Sequence, residues 1–284
     1  MNFGDLTEDF CKLKDSKIVI LPVPYDKTST WIKGANKGPE AIITASSNME
    51  LYDIETDSEV YKKGIFTDKF ISGNLTPEEL ADTVSKKVKE YLQGGKFIVV
   101  IGGEHSVSIG AIKAHSEKFK DMCVLQLDAH SDLRQEYHGS RYNHACVMAR
   151  AKENAKIFQV GIRSMDSDEL EHMDKKRVVF AEDIQNNKDW IADIIKKLPK
   201  HVYITIDLDV FDPSIMPSTG TPEPGGLLWY ETLKLLKEVI KQKEVVGCDI
   251  VELCPNKDYK APDFLAAKLI YKILSYKFER RKNE

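Results

Sequence analysis

The chain has 284 residues, 42% of them hydrophobic and 30% charged, so it is long enough to bury a large core. Its 41 basic and 45 acidic side chains give a formal net charge of -4, and no basic stripe predicts a nucleic-acid partner. No apolar run approaches the roughly 20 residues of a membrane span. Five cysteines without a C-x-x-C pair indicate reduced thiols. We therefore expect a cytoplasmic globular protein that binds neither membranes nor nucleic acid.

Short apolar runs bounded by turn formers predict eight strands. These strands are Lys17–Val23, Val60–Phe66, Lys96–Ile101, Met122–Leu127, Lys156–Val160, Arg177–Phe180, His201–Ile206 and Glu244–Val251. Helical segments are predicted between them. These helices are Pro39–Leu51, Thr76–Leu92, Ser106–Phe119, His144–Glu153, Asp166–Asp174, Asp189–Leu198, Leu228–Lys241 and Pro262–Ser275. The C-terminal RRKNE is predicted to be a frayed tail.

The regular alternation of strands and helices predicts an α/β fold built from βαβ units. A parallel sheet with helices on both faces follows from that pattern. Neither a composition break nor an internal repeat interrupts the chain, so we expect residues 1–284 to form a single domain. The segment 24–38 is rich in turn formers and is predicted to be a loop.

Polar groups follow four of the predicted strands. They are His105, Asp128, His130, Asp132, Asp207, Asp209 and Glu252. Each has an ordinary structural explanation by itself, such as a helix cap, a turn or a solvated acid. Together they fall at one edge of the predicted sheet, where open α/β sheets bind their ligands. We therefore interpret the set as a functional site.

Two imidazoles and four carboxylates exceed the ligand number of one tetrahedral zinc ion. They suit a pair of divalent cations, and oxygen-rich ligation with some imidazole favours Mn²⁺, with Fe, Co, Ni or Zn as substitutes. Four carboxylates would balance the charge of two such ions. A water between them would lose a proton near neutral pH and become a hydroxide nucleophile.

Four motifs, in this order, resemble those of the ureohydrolases, the arginase and agmatinase family. They are GGEHS at 102–106, DAHSD at 128–132, IDLDVFDP at 206–213 and DIVE at 249–252. The resemblance spans nearly the whole chain, and the second and third motifs together are highly specific. It implies a three-layer α/β/α domain with a mostly parallel eight-stranded sheet, two Mn²⁺ ions per subunit, and hydrolysis of a guanidinium to urea and an amine. It also implies a homo-oligomer, a trimer or hexamer.

The resemblance implies a role for each residue that matches a family motif. His105 and Asp128 would bind one Mn²⁺ ion and His130 the other. The remaining ligands, some of them bridging, would be Asp132, Asp207 and Asp209, with Asp132 also counted as catalytic.

Three further residues would handle the substrate. His144 matches a loop histidine that relays a proton to the leaving amine, although a helix-cap role is a fair alternative. Glu252 matches the acid that pairs with the guanidinium, whose forked donors a carboxylate can accept. Thr221 lies in a segment that lines the substrate channel.

Two departures from the arginases bear on the substrate. Glu104 stands where arginases have aspartate, and we interpret it as a residue behind the ligands or at the surface. Leu133 and Arg134 replace the asparagine-threonine element that holds the carboxylate of arginine, which makes the chain more like bacterial and archaeal agmatinases. We therefore predict hydrolysis of agmatine to putrescine and urea.

Other functions stay open at this point. Arg134 or Arg163 could anchor a carboxylate, as in 4-guanidinobutyrate or formiminoglutamate, and arginine is a further alternative; both side chains could equally be paired or solvated. A non-catalytic metal-binding homologue is disfavoured because all six ligands are present. Deacetylases of the same fold are disfavoured because they use a single zinc with fewer carboxylates.

Overall fold

The computed structural model describes residues 1–278, so the RRKNE tail predicted to fray lies outside the described residues. Eight strands form one sheet in which every pair is parallel. The strands are β1 (Ile18–Val23), β2 (Ile65–Thr67), β3 (Phe97–Gly102), β4 (Cys123–Leu127), β5 (Lys156–Ile162), β6 (Val178–Phe180), β7 (His201–Asp207) and β8 (Glu244–Val251). Their spatial order is β2-β1-β3-β8-β7-β4-β5-β6.

Helices connect the strands. The helices of the described residues are α1 (Glu8–Cys11), α2 (Gly38–Ser46), α3 (Pro77–Gln93), α4 (Val107–Lys118), α5 (Val147–Lys152), α6 (Ala181–Asn186), α7 (Trp190–Lys197), α8 (Trp229–Gln242) and α9 (Ala261–Phe278). One face of the sheet packs against α2, α7, α8 and α9. The other face packs against α3, α4 and α5, which makes a three-layer α/β/α fold. The predicted fold class is thus confirmed, and the sheet is parallel throughout.

Strand side chains alternate between the two cores. In β1, Ile18 and Ile20 belong to the first core, whereas Val19 and Leu21 belong to the second. A central parallel strand is buried on both faces, so its sequence is a continuous apolar run rather than an alternating one. This is why β1, β3 and β4 could be predicted from short hydrophobic segments.

Local signals set the helix ends. Helix α3 begins with the predicted capping box, in which the Thr76 side chain accepts from the Glu79 backbone N–H and Glu79 accepts from the Thr76 N–H. Pro77 occupies the first turn, where its missing N–H costs nothing. The second glycine of GGEHS serves close packing, because a Cβ at Gly103 would lie 1.9 Å from the Tyr25 carbonyl oxygen.

Several predicted boundaries were wrong. The helix predicted to reach Leu51 ends at Ser46, and the predicted strand from Val60 begins only at Ile65 because Val60–Lys63 is a 3-10 turn. The predicted helices at 144–153 and 166–174 are partly or wholly 3-10 helix, and α1 and α6 were missed. None of these differences moves a residue of the candidate site.

Two findings concern the whole described chain. Among residues 1–278, no helix combines the length and the apolar character that crossing a membrane requires. All five cysteines carry free thiols.

Candidate active site at the carboxyl edge of the sheet

Four adjacent strands carry the candidate residues. Strands β3, β8, β7 and β4 are neighbours in the sheet, and one sequence motif lies at the carboxyl end of each. His105 follows β3, Asp128 follows β4, Asp207 ends β7 and Glu252 follows β8. Parallel strands place these ends at the same edge, which explains how motifs far apart in sequence meet.

The first group of ligand atoms surrounds the buried imidazole of His105. Its Nδ1 lies 3.0 Å from Asp132 Oδ2 and 3.2 Å from Asp128 Oδ2. A third carboxylate oxygen, Oδ2 of Asp207, is 3.4 Å away. The ring is held from behind, because its Nε2 lies 2.9 Å from the hydroxyl of Thr205.

The second group surrounds His130. Its Nδ1 lies 2.9 Å from Asp209 Oδ2 and 3.7 Å from Asp128 Oδ1. Asp128 therefore presents one carboxylate oxygen to each histidine and connects the two groups. The Ala129 N–H donates to Asp209 Oδ1 at 3.0 Å, which fixes the orientation of that carboxylate.

Crowding of negative charge controls the titration of these residues. Burial, together with the charges of neighbouring carboxylates, raises the pKa of Asp128 to about 7 and the pKa of Asp207 well above its usual value. Burial also opposes charge on the imidazole of His130, yet the carboxylates of Asp209 and Asp128 raise its pKa to about 11. The site therefore has a strongly negative potential that favours bound cations.

These residues fit a pair of divalent cations. Ligand atoms converge within 4.8 Å of one another in two sets, His105 with Asp128 and Asp132, and Asp128 with His130 and Asp209. Nδ1 of His105 is buried and makes no hydrogen bond within residues 1–278, although it faces carboxylate oxygens. That arrangement is expected of atoms that share a cation, and the oxygen-rich donors suit a hard metal such as Mn²⁺.

Two of the predicted site residues have left-handed backbone conformations. Asp132 has φ 52° and Glu252 has φ 66°. A glutamate in this region is uncommon, and such strain persists where the surroundings over-determine it. Glu252 Oε1 accepts the backbone N–H of His105 at 2.7 Å, so the strained residue is tied to a ligand-bearing loop.

A cavity of about 290 Å³ opens above the ligand groups. His144, Thr221 and Glu252, the three predicted substrate residues, all line it. Trp31 and Tyr137 line it as well and were not predicted. Burial lowers the pKa of His144 below its usual value, so its imidazole is neutral near pH 7.

Neither arginine considered as a carboxylate anchor is free. Arg163 donates to backbone carbonyls, including that of Asp209 at 2.6 Å and that of Glu223 at 2.8 Å. Arg134 lines the cavity, where it pairs with Asp166 at 3.0 Å and stacks on Tyr137. Both engagements agree with the interpretation that these arginines are paired rather than open to substrate.

Glu104 lies fully buried behind the cavity and not at the surface. Its Oε2 accepts from the Thr28 hydroxyl at 2.5 Å, and its Oε1 accepts from the Ser106 hydroxyl at 2.8 Å. Burial raises its pKa to about 7. Thr28 also contacts His144, a connection that sequence reasoning missed.

Gln126 is a further residue of the candidate site that sequence reasoning missed. Its Nε2 donates to Asp128 Oδ2 at 2.7 Å and to the His130 carbonyl at 3.2 Å. Its Oε1 accepts from Gln159 on the neighbouring strand at 2.7 Å. The sequence did contain a signal for Gln126. It is an amide inside the apolar run of β4, two residues before a predicted ligand.

Comparisons with known proteins agree with this geometry. Residues 16–275 match the Arginase family. The N(1)-aminopropylagmatine ureohydrolase of Synechocystis is 36% identical over 281 residues, covering 95% of this chain and 92% of that protein. The agmatinase of Pyrococcus horikoshii is 32% identical, with 92% of each chain covered. The agmatine ureohydrolase structure of Thermoplasma volcanium has a TM-score of 0.89 and 31% identity, covering 98% of this chain and 96% of that one.

An α/β/α fold with a carboxylate and histidine cluster at the sheet edge defines a metal-dependent hydrolase class. The chain belongs to the arginase family, the ureohydrolases.

Proposed function

We propose that this protein hydrolyses the guanidino group of agmatine, or of an agmatine extended by an aminopropyl group, to release urea and an amine. The single observation that carries the proposal is the position of Glu252 beside two ligand groups joined by Asp128. The names of the relatives support the same substrates, because the agmatinase and the N(1)-aminopropylagmatine ureohydrolases all match more than nine-tenths of this chain.

Glu252 binds and orients the guanidinium in this mechanism. One of its oxygens is occupied by the His105 backbone N–H, and its Oε2 lies on the side of Gly220, which also lines the cavity. A carboxylate at the base of a small cavity matches the charge and the forked donors of a guanidinium. Fixing the substrate in this way removes much of the entropy that the attack would otherwise lose.

Two Mn²⁺ ions would be held by the two ligand groups, which have Asp128 in common. When bound, the ions would supply Lewis-acid charge and activate water for attack on the guanidino carbon. The ligands are His105, Asp128, His130, Asp132, Asp207 and Asp209. Asp132 Oδ2 lies 3.0 Å from His105 Nδ1, within the first ligand group.

His144 relays the proton that the leaving amine needs. Its imidazole lines the cavity, and burial lowers its pKa, which keeps a proton-accepting form available near neutral pH. Thr221, the neighbour of Gly220 in the chain, also lines the cavity and would contact the substrate chain.

A carboxylated substrate is the weaker candidate. The guanidinium groups of Arg134 and Arg163 are already engaged by Asp166 and by backbone carbonyls. Binding a substrate carboxylate would require one of them to give up those partners. Aminopropylagmatine has no carboxylate and needs no such change, and the exposed side chain of Trp31 in the cavity lining is available to pack against a longer amine.

Urea release from purified, Mn²⁺-loaded protein tests the proposal. Agmatine, N(1)-aminopropylagmatine, arginine and 4-guanidinobutyrate are compared, and formiminoglutamate is scored by formamide. We expect kcat/KM for one of the first two to exceed the other substrates by at least about tenfold, a difference of about 1.4 kcal/mol. Wild-type rates in Glu252→Ala, or the highest turnover on a carboxylated substrate, would contradict the proposal.

We further propose that residues 1–284 act as one catalytic domain in a cytoplasmic homo-oligomer, a trimer or hexamer. One sheet takes its strands from Ile18–Val23 through Glu244–Val251, and five free thiols suit a reducing compartment. Light scattering of the purified protein measures the assembly, and a monomer at all concentrations would contradict it.

A further inference from the structure

The hydroxyl of Thr28 makes three polar contacts, two of them with His144, whose side chain lines the cavity. Its Oγ1 lies 2.5 Å from Glu104 Oε2, 3.0 Å from the backbone nitrogen of His144 and 3.2 Å from His144 Nδ1. A threonine hydroxyl has one proton to donate and two lone pairs that accept. Three partners therefore saturate it, and each contact must take a defined direction.

The partners determine those directions. The His144 backbone N–H can only donate, so it takes one lone pair of Thr28. In the ionised form of Glu104 both oxygens accept from hydroxyls, Oε1 from Ser106 and Oε2 from Thr28. The Thr28 proton therefore goes to Glu104. The remaining lone pair requires a proton on Nδ1 of His144, which leaves Nε2 of the neutral ring free.

Thr28 is held in place by the packing of its loop against β3. The Glu104 N–H donates to the Tyr25 carbonyl at 2.7 Å, and Gly103 allows that carbonyl to approach its backbone closely. Three residues further on, Thr28 reaches the Glu104 side chain. The GGEHS segment thus carries both a predicted metal ligand and, through Glu104 and Thr28, the support of His144.

We propose that Thr28 and Glu104 are positioning residues that fix His144 in its Nδ1–H tautomer, with Nε2 as the atom that exchanges a proton. The proposal rests on the proton relay assigned to His144 under the proposed function. The proposal also assigns a role to Glu104, which stands where arginases have aspartate. The glutamate side chain, which is longer, reaches the Thr28 hydroxyl. Thr28 itself is not required to touch the substrate.

Kinetics of two Thr28 variants test the proposal in the Mn²⁺-loaded enzyme. Thr28→Val removes the hydroxyl at nearly constant volume, and Thr28→Ser keeps it. We expect Thr28→Val to lower kcat by roughly 10- to 100-fold with KM changed less than about threefold, part of the 10²–10⁴-fold that a positioned acid or base contributes. Thr28→Ser should stay within about threefold of wild type. In a His144→Asn background, Thr28→Val should change kcat less than about twofold, since it acts through His144.

Nitrogen NMR of the Mg²⁺-loaded protein gives a second readout that needs no turnover. With ¹⁵N-labelled histidine, the His144 signals are assigned by their loss in His144→Asn. Wild type and Thr28→Ser should show the Nδ1–H tautomer, and Thr28→Val should shift toward Nε2–H. An Nε2–H tautomer in wild type, or an equal loss of kcat from Thr28→Val with and without His144, overturns the inference. Absence of urea release by wild type would instead contradict the proposed function, and the NMR result alone would then decide the inference.

Discussion

Two clusters of buried charge in this molecule are built in opposite ways. At the candidate site, carboxylates outnumber the two imidazoles, and no lysine or arginine side chain is paired with the ligand carboxylates in residues 1–278. The second cluster joins Lys272 of α9 to the segment 53–55. Lys272 Nζ lies 2.9 Å from Asp53 Oδ2 and 2.6 Å from Glu55 Oε2.

The second cluster supplies its own counter-charge. Its member Glu55 is 40% exposed; partial burial opposes ionisation of this side chain, but hydrogen bonds from Lys272, Tyr276 and Lys237 lower its pKa to about 2. At the candidate site the shift has the opposite direction, because burial and the neighbouring carboxylates raise the pKa of Asp128 to about 7. Uncompensated buried charge is costly, so a chain keeps it where an external cation supplies the compensation. The carboxylates of the second cluster therefore have a cation within the chain, whereas those of the candidate site are left for an external cation.

Removal of a site carboxylate should produce the largest effect on activity. Asp132→Asn keeps the side-chain shape, and asparagine tolerates the φ of 52° found there. With a cation ligand lost, kcat/KM for the preferred guanidine should fall on the order of a thousandfold, about 4 kcal/mol. The metal-free variant should melt at the same temperature as wild type or a few degrees higher, because one of the crowded charges is gone.

Asp82→Asn is the matched control for that variant, because Asp82 is an exposed acid paired with Lys113 on the helical surface. It should leave both the activity and the Mn²⁺-induced rise in melting temperature unchanged. A strongly lowered melting temperature of metal-free Asp132→Asn would contradict the view that the site carboxylates repel one another.

Removal of the Lys272 side-chain charge should have the opposite effect to Asp132→Asn, because it should lower stability and leave activity unchanged. Lys272→Met leaves Asp53 buried without its partner, since Lys272 and Asp53 are only 8% and 3% exposed. Loss of one partner of a buried pair costs about 3–5 kcal/mol. The melting temperature should fall by roughly 10 °C, while kcat at 25 °C stays near wild type. If Lys272→Met lost as much Mn²⁺ affinity as stability, the two clusters would be energetically coupled.

The candidate site, unlike the Lys272 cluster, could be predicted from the sequence, because strand ends and motifs are local patterns. The apolar runs before Asp128 and Asp207 predicted buried parallel strands, and parallel strands put their ends at one edge. The exact geometry was not accessible. Strand β4 ends at Leu127, before the DAHSD motif, and Asp132 adopts a left-handed backbone conformation with φ 52°.

Contacts between distant segments explain what the sequence could not show. Thr28 meets Glu104 and His144 across 76 and 116 residues, and a loop threonine carries no periodic signal. Glu104 was expected to lie behind the ligands or at the surface, and only the packing of the loop 24–38 against β3 explains its complete burial. Lys272 likewise lies in a sequence typical of an ordinary helix, so its burial against Asp53 could not be predicted.

A buried base without a counter-charge should make stability depend on pH. Burial lowers the pKa of His115, packed against Tyr203, to about 4, whereas an unfolded histidine binds a proton near 6.5. The unfolded chain therefore holds more protons between these values, and stability is lost as pH falls from about 6.5 toward 4. His115 should account for about 2 kcal/mol between pH 7.5 and 5.0. Urea unfolding at both pH values should show a correspondingly smaller loss for His115→Leu, and an equal loss in both proteins would contradict the assignment.

Loss of the hydrogen bond from Gln126 to the predicted ligand Asp128 should have the smallest effect of these changes. Gln126 orients Asp128 by donating to Oδ2 at 2.7 Å, and Asp128 is the carboxylate that both ligand groups share. Gln126→Leu should lower Mn²⁺ affinity by roughly tenfold, the lower end of what loss of a partner behind a ligand costs. Gln159→Leu is the comparison, because Gln159 bonds Gln126 but not Asp128 and should lower affinity less than about threefold. Titration calorimetry with Mn²⁺ measures both, and equal affinities for wild type and Gln126→Leu would mean that the cation alone orients Asp128.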